Sequence, residues 1–271
     1  MKKIIASFVL VAMLSSVHAQ DAADKKIQAG LVLGSGINFQ KMGTKKMESN
    51  GVGFDWTFGT NVMINFTETI GLTTGLEFDF ENLKYKSAQL NGEEMKYYFL
   101  DSDILSYKDG VGNASASVFS LDSRNQKAVY LTVPTMFTFK TSFFGFWRYF
   151  AKFGLRNSFL MTSKTEDTGR DLSSANPSAS VTMEGMKSSG DLFFFKSAVG
   201  GTLGAEWNFS GSTSLVVEAG YYYGFTPLHT PKNTDVDNAK NSLFADQAGT
   251  LTMFNNKATQ NQVMLKVSIL F

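Results

Sequence analysis

The chain has 271 residues, with 25 Lys and Arg against 24 Asp and Glu, and no cysteine. So even a balance excludes a polyanion such as nucleic acid as the main partner. The missing cysteines exclude a disulfide framework, so backbone pairing and burial must hold the fold, and the length suits one domain.

The first segment, "MKKIIASFVLVAMLSSVHAQ", places Lys2 and Lys3 before an apolar run from Ile4 to Leu14, then small residues with Val17 and Ala19 where a signal peptidase reads. This predicts a secretory signal peptide over 1–19, cleaved after Ala19. The run is too short for the roughly 20 residues of a membrane-spanning helix. A short polar lead over 20–26 follows, then one domain over 27–271. With Lys2 and Lys3 gone, 23 basic residues face 24 acidic ones.

From Ile27 onward the pattern is period 2. In "VGFDWTFGTNVMINF", Val52, Phe54, Trp56, Phe58, Val62, Ile64 and Phe66 share one face, and Gly53, Asp55, Thr57, Gly59, Asn61 and Asn65 the other. Side chains alternate across a strand in this way. Eight such segments are predicted, at 27–40, 52–65, 70–85, 128–140, 148–162, 192–208, 214–226 and 260–271. Each meets the roughly 9–11 residues of a tilted membrane strand. Their links alternate between short turns ("FTET", "TSFFGFW", "FSGST") and long polar loops near 41–51, 86–127, 163–191 and 227–259. The expected fold is therefore all-β: a monomeric, eight-stranded antiparallel up-and-down transmembrane β-barrel, with short periplasmic turns and long extracellular loops.

A soluble barrel of the lipocalin kind would turn its apolar face inward. Three features argue for the opposite sense. The long loops gather at one end. The polar face carries Glu77, Asp79, Glu81, Lys152, Arg156, Lys196, Glu206, Glu218 and Lys266 among many glycines. The apolar face carries aromatics at both expected interfaces: Tyr149, Trp207, Phe209 and Phe271 at the turn end, and Trp56, Tyr221 and Tyr223 toward the loop end. That is a pair of aromatic girdles. The polar set is expected to form a buried salt-bridge network, with Lys152, Glu206, Glu218 and Lys266 at one low level and Arg156 reaching toward Glu77 and Asp79. Val267, Ile269 and Phe271 end the last strand, which must pair with the first because an open edge cannot face lipid. An aromatic C-terminal residue after such a strand also resembles the signal read by the barrel-assembly machinery.

Several segments carry a family likeness. "YLTVPTMFTFK", "IGLTTGLEFDF", "YFAKFGLRNSFLM" and "SAVGGTLGAEWNF" resemble the motifs of the PorT-like small outer-membrane β-barrel proteins of the Bacteroidota. The likeness covers most of the chain beyond the leader and implies fold more than role; some members assist protein secretion across the outer membrane. The family also places a proline where Pro134 stands. Proline lacks a ladder donor, so Pro134 is expected to mark a bulge or a local loss of pairing.

Little chemistry is legible. Beyond the leader the one histidine is His229, in "FTPLHTPKNTD". Thr230 and Asp235 are nearby, but no hydrolase motif surrounds them, and a solvated loop histidine is the expectation. "DSD" at Asp101–Asp103 and "DVD" at Asp235–Asp237 lack the ordered spacing of a calcium loop. No metal and no cofactor are predicted. The expected role is non-enzymatic, structural or interacting, in the outer membrane of a Gram-negative bacterium. The expected contacts are outer-membrane lipid and lipopolysaccharide, the assembly machinery during biogenesis, and a protein partner at the extracellular loops. "EEMKYYFL" and "SASVFSL" could form an exposed hairpin there, open to β-augmentation. The alternatives are an accessory of protein secretion, a lipid A-modifying enzyme centred on His229, and a small pore.

Overall fold

The computed structural model describes residues 25–89, 92–188, 191–210, 213–229, 242–247, 249–253 and 257–271. The predicted signal peptide, Thr230 and Asp235–Asp237 lie outside the described residues. Among the described residues the strands are β1 (Ile27–Met42), β2 (Met47–Ser49), β3 (Gly53–Asn65), β4 (Ile70–Thr74), β5 (Glu77–Ser87), β6 (Glu94–Leu100), β7 (Asp103–Ile104), β8 (Ser117–Lys140), β9 (Trp147–Asp171), β10 (Ser180–Ser188), β11 (Phe195–Ser210), β12 (Thr213–Gly224), β13 (Phe244–Gln247), β14 (Thr250–Thr252) and β15 (Ala258–Leu270), with a short helix, α1 (Tyr107–Val111).

All of them join one sheet of fifteen strands, where the sequence predicts eight. Two causes account for the difference. The third predicted segment breaks at Gly75 and Leu76 into β4 and β5, and the long loops contribute β2, β6, β7, β10, β13 and β14. Antiparallel pairing runs from β1 to β3, to β4 and β5 end to end, then to β8, β9, β11, β12 and β15. It returns to its start, because β15 pairs β1 from Gly30↔Leu270 to Met42↔Ala258. The Phe271 amide donates to the Ala29 carbonyl at 2.9 Å. A circuit of this kind leaves no ladder edge exposed.

The apolar face is outside. Leu33, Trp56, Phe153, Leu203 and Leu265 are exposed, while Asp55, Glu77, Asp79, Lys152, Arg156 and Lys266 are buried. That inversion is the reverse of a soluble barrel and defines an outer-membrane-type barrel.

β8 and β9 are much longer than predicted, and each carries a bulge. On β9, Tyr130 faces Leu160 but Val129 faces Thr162, so Met161 is an extra residue. Below it Lys152, Arg156 and Ser158 point inward; above it Thr165 and Asp167 do. On β8, Asp122 is extra between Leu121↔Gly169 and Ser123↔Thr168, and the inward set changes from Arg124 and Gln126 to Phe119 and Leu121. One inserted residue reverses the facing of everything beyond it, which is why the alternation of β9 stops near Met161; on β8 it continues above the predicted start at 128 as far as Asp122.

Pro134 lies where β8 loses a partner. β4 ends against Thr135 and β5 begins against Thr132, so Val133 and Pro134 stand opposite the break at Gly75 and Leu76. On its other side Pro134 keeps register with Arg156 of β9.

The long loops fold together as a cap. β6 pairs β8, β7 and β13; β7 pairs β10 in parallel; β10 pairs β9, β13 pairs β14, and β2 pairs β5. The segment predicted as an exposed hairpin edge is therefore flanked by β8 and β13. Its alternate residues Met95, Tyr97 and Phe99 join Met47, Tyr85, Phe119, Leu121, Met186 and Leu243 in one apolar core. Met47, Met95, Met186 and Leu243 come one from each loop. Burying side chains of this size contributes about 1.5–3 kcal/mol apiece, enough to order segments that composition alone assigns to solvent.

Candidate functional site

The interior is a column of layers. At the turn end Met63, Phe150, Val216 and Leu270 form an apolar floor. Level with it, on the turn side of Phe150, Arg148 donates through Nε to Glu206 Oε2 at 2.7 Å, Glu206 standing opposite Val216; above it Lys152 meets Glu218 at 2.5 Å. Lys266 does not pair with Glu218, its neighbour across the ladder; its ammonium lies 2.7 Å from both oxygens of Glu77.

The next level centres on Arg156. Its Nη2 reaches Glu77 at 2.9 Å and Asp79 at 2.8 Å, while Thr57 and Thr132 donate hydroxyls to the same Asp79 carboxylate. The guanidinium also lies 4.9 Å from the Tyr222 ring. Higher still, Lys196 meets Glu81 at 2.5 Å, and Gln262 spans the two acids Glu81 and Asp55 at 2.9 and 3.0 Å. Buried charges are tolerated only when paired and hydrogen-bonded in this way. A cavity beside Arg156, Lys196, Gln260 and Gln262 has about 20 Å³, room for roughly one water.

Above the charges lies an apolar layer of Leu83, Ala128, Tyr130, Leu192, Leu228 and Ala258. Over it Arg124, fully buried, bridges Asp167 and Asp191 and faces the Tyr97 ring at 5.2 Å. Ser242 donates to Asp191 at 2.5 Å. This ionic joint ties the cap to the column. Outside the barrel span, in the cap, Lys96 sits between Asp246 at 2.8 Å and Glu94 at 3.1 Å. Burial opposes the Lys96 charge, but bonds to Asp246 and Glu94 outweigh it and raise its pKa. The hydrogen bond from Lys96 holds the Asp246 carboxyl below its usual range.

Glu77, Asp79, Glu81, Lys152, Arg156, Glu206, Glu218 and Lys266 are buried and Lys196 is half-buried, paired across several levels and not in a single low ring. Arg148 and not Lys152 is the partner of Glu206. Arg148 lies on the alternation face of Lys152. Asp167 lies beyond the Met161 bulge and Asp191 in a loop, so the alternation reaches neither; Arg124 is in phase with Gln126 and Tyr130 but lies outside the segment predicted at 128–140. Among the predicted girdle residues Trp56, Tyr149, Trp207, Phe209, Tyr221 and Tyr223 are exposed on the outer face, and Trp207 stacks on Trp147 at 5.5 Å.

His229 is not the solvated loop residue the sequence suggests. It is buried, bridges to Leu192 and packs edge-on against Tyr85 at 5.7 Å. The apolar layer beneath the cap draws the loop inward and the imidazole with it. Asp101 and Asp103 lie at the β6–β7 turn, with Asp103 3.8 Å from Lys187. Among the described residues no three His, Cys, Asp or Glu are grouped to hold a metal ion.

An outward apolar band around a charged, ion-paired interior is the design of an outer-membrane barrel. The chain belongs to the family of outer membrane protein beta-barrel domains, which it matches over residues 18–230. Its place is accordingly the outer membrane. Solved structures similar to it include Ail, the attachment invasion locus protein of Yersinia pestis, at 12% identity over 91% of this chain and 100% of that one, with a TM-score of 0.33. OprG of Pseudomonas aeruginosa matches at 9% identity over 90% and 92%, TM-score 0.38. The protease OmpT of Escherichia coli matches at 8% over 94% and 99%, TM-score 0.33. At such values these likenesses bear on neither activity nor ligand. No curated protein matches the chain.

Proposed function

We propose that the protein is a non-conducting, non-enzymatic outer-membrane barrel that acts through the surface its folded loops present. The circuit strands are read as eight staves, with β4 and β5 sharing one lane, and the protein as a PorT-like barrel of the Bacteroidota with its cap outside the cell. The observation that carries the reading is the column itself. An eight-stave barrel is just wide enough for its own side chains, and here they are ion-paired layer upon layer beneath an apolar cap. A pore would need open polar space, and a lipid-modifying site at His229 would need access that its burial against Tyr85 opposes. What is left to meet partners is the outer face of the cap.

The test is conductance. Purified protein in planar bilayers should give no steady single-channel steps. Reproducible steps selective for one ion sign would move the small-pore reading to first place. For the enzyme reading, cells carrying His229→Ala should keep an unchanged lipid A profile; altered acylation would overturn the non-enzymatic reading.

A further inference from the structure

We infer that the outer face of β5, β8 and β9 holds the phosphorylated headgroup of a membrane lipid between Lys127 and Lys164, with an acyl chain in the groove below. The site rests on the membrane reading above and adds to it a specific ligand chemistry.

Lys127 and Lys164 are direct cross-strand partners, both on the exposed face. Like charges placed opposite each other on neighbouring strands repel, and nothing in the packing requires them. Lys84, on the next row and also facing outward, adds a third cation. Glu166 meets Lys127 at 2.8 Å, but among the described residues no carboxylate lies within 4 Å of Lys84 or Lys164. Glu184 also acts on Lys127, so three lysines face two carboxylates and the cluster keeps a net positive charge, with Lys84 and Lys164 in no ion pair among the described residues.

One pleat repeat toward the turn end, about 7 Å along the strands, the chemistry changes. Trp56, Phe80, Val129 and Thr162 form one continuous row across β3, β5, β8 and β9. Together with Lys127 and Lys164 they line a groove of about 300 Å³. The bulge at Met161 adjoins it, beside the Val129↔Thr162 pair. Trp56 and Phe80 are about half exposed, at 53% and 40%. An anion above an apolar floor, on the lipid-facing side at the level of an aromatic girdle, fits a molecule with a phosphate at one end and a chain at the other. A free anion would leave the aromatic floor uncovered, and an acidic protein segment could not enter the lipid band.

The experiment uses the folded chain in a neutral detergent, with Trp147→Phe and Trp207→Phe so that Trp56 alone reports. Dioleoyl phosphatidic acid and dioleoylglycerol, both brominated in the acyl chains, are titrated against its fluorescence. Phosphatidic acid should quench at roughly thirtyfold lower concentration, as expected for two lysines acting near an anionic headgroup. Lys127→Gln with Lys164→Gln should abolish the difference, and the double Arg variant should keep it. Native mass spectrometry should count one retained phosphatidic acid on the parent and none on the Gln variant, whose fold is checked by its unfolding midpoint. Equal quenching by both lipids, or a difference that survives the Gln variant, sinks the headgroup site but leaves the lipid-facing band standing. Quenching by neither lipid sinks the band as well. Displacement of the lipid by millimolar inorganic phosphate would overturn a lipid site in favour of a free-anion site.

Discussion

The guanidinium of Arg124 meets the carboxylate of Asp167 through two parallel bonds, Nε to Oδ1 and Nη2 to Oδ2, each 2.7 Å long. A third, Nη1 to Asp191 at 3.1 Å, ties β8 to the loop after β10. Both side chains of the first pair are fully buried. Breaking such a pair leaves a charge without water or partner, which costs about 3–5 kcal/mol. Arg124→Ala should therefore destabilise the protein by about that amount, and by more than Asp167→Asn, since it strands two carboxylates and Asp167→Asn strands none. Replacing Arg124 by Met and Asp167 by Leu together should recover part of the loss. Urea unfolding in lipid vesicles measures all four proteins. A double variant no better than Arg124→Ala would show that shape and not charge governs this joint.

The cap should loosen in acid. Asp246 and Glu94 both have lowered carboxyl pKa values: at Asp246 the Lys96 hydrogen bond is the main cause, and at Glu94 bonds from Arg170 and Lys96 overcome the opposing effect of burial. A carboxyl lowered in the folded state stabilises fully above its unfolded value, near 4, and loses that contribution as pH falls through the folded value. Lys96 has a raised pKa, so its share is present at low pH and is lost only in strong alkali. Amide hydrogen exchange at Phe244, Ala245 and Asp246, which pair Lys96, Met95 and Glu94, should rise below about pH 4 beyond the intrinsic change, while β12 and β15 stay protected. Exchange that rises equally in β12 would assign the acid effect to the whole barrel.

What was legible in the sequence followed the alternation, and what was not lay beyond its breaks. The facing of Glu77, Asp79, Lys152, Arg156 and Lys266 follows from period 2, since a strand with one lipid face can place charge only on the other. On β9 the pattern breaks at Met161, where one extra residue reverses the facing with no residue-type signature; on β8 the alternation holds through Arg124 to the bulge at Asp122, but polar residues such as Arg124 and Gln126 fill its inward positions and conceal the strand. The cap was lost because its core is assembled from single residues in four polar loops, such as Met47 and Met186, none of which forms a pattern alone. The burial of His229 is hidden for the same reason: it depends on Tyr85 and Leu192, remote in sequence. Pro134 was recognisable as a pairing defect, but its counterpart at Gly75, with φ of 158°, appears only when β4 and β5 are laid beside β8.

Val217 and Glu218 test the sense of the faces. Val217 is 41% exposed in the outer band, whereas Glu218 is 6% exposed and meets Lys152. Val217→Arg should cost about 2–4 kcal/mol near the midplane. A lipid-soluble quencher should reach a fluorophore at 217 and not at 218. The opposite labelling would invert the barrel and remove the basis for an outer lipid contact.

Glu77 is the acid on which two cations converge, Arg156 at 2.9 Å and Lys266 at 2.7 Å. Glu77→Gln keeps the shape and removes the charge, so Asp79 and the more distant Glu218 must balance both cations in the buried interior. The expected cost is about 3–5 kcal/mol. Lys266→Met by itself should also destabilise, because Glu77 and Glu218 lose a neighbouring cation. Combined, the two changes should cost clearly less than their sum, since each removes the partner the other would have stranded. Urea midpoints of the four proteins in lipid vesicles give the coupling directly. Strict additivity would mean that Arg156 alone satisfies Glu77, and that Lys266 fills space in the lumen without contributing to its ionic order.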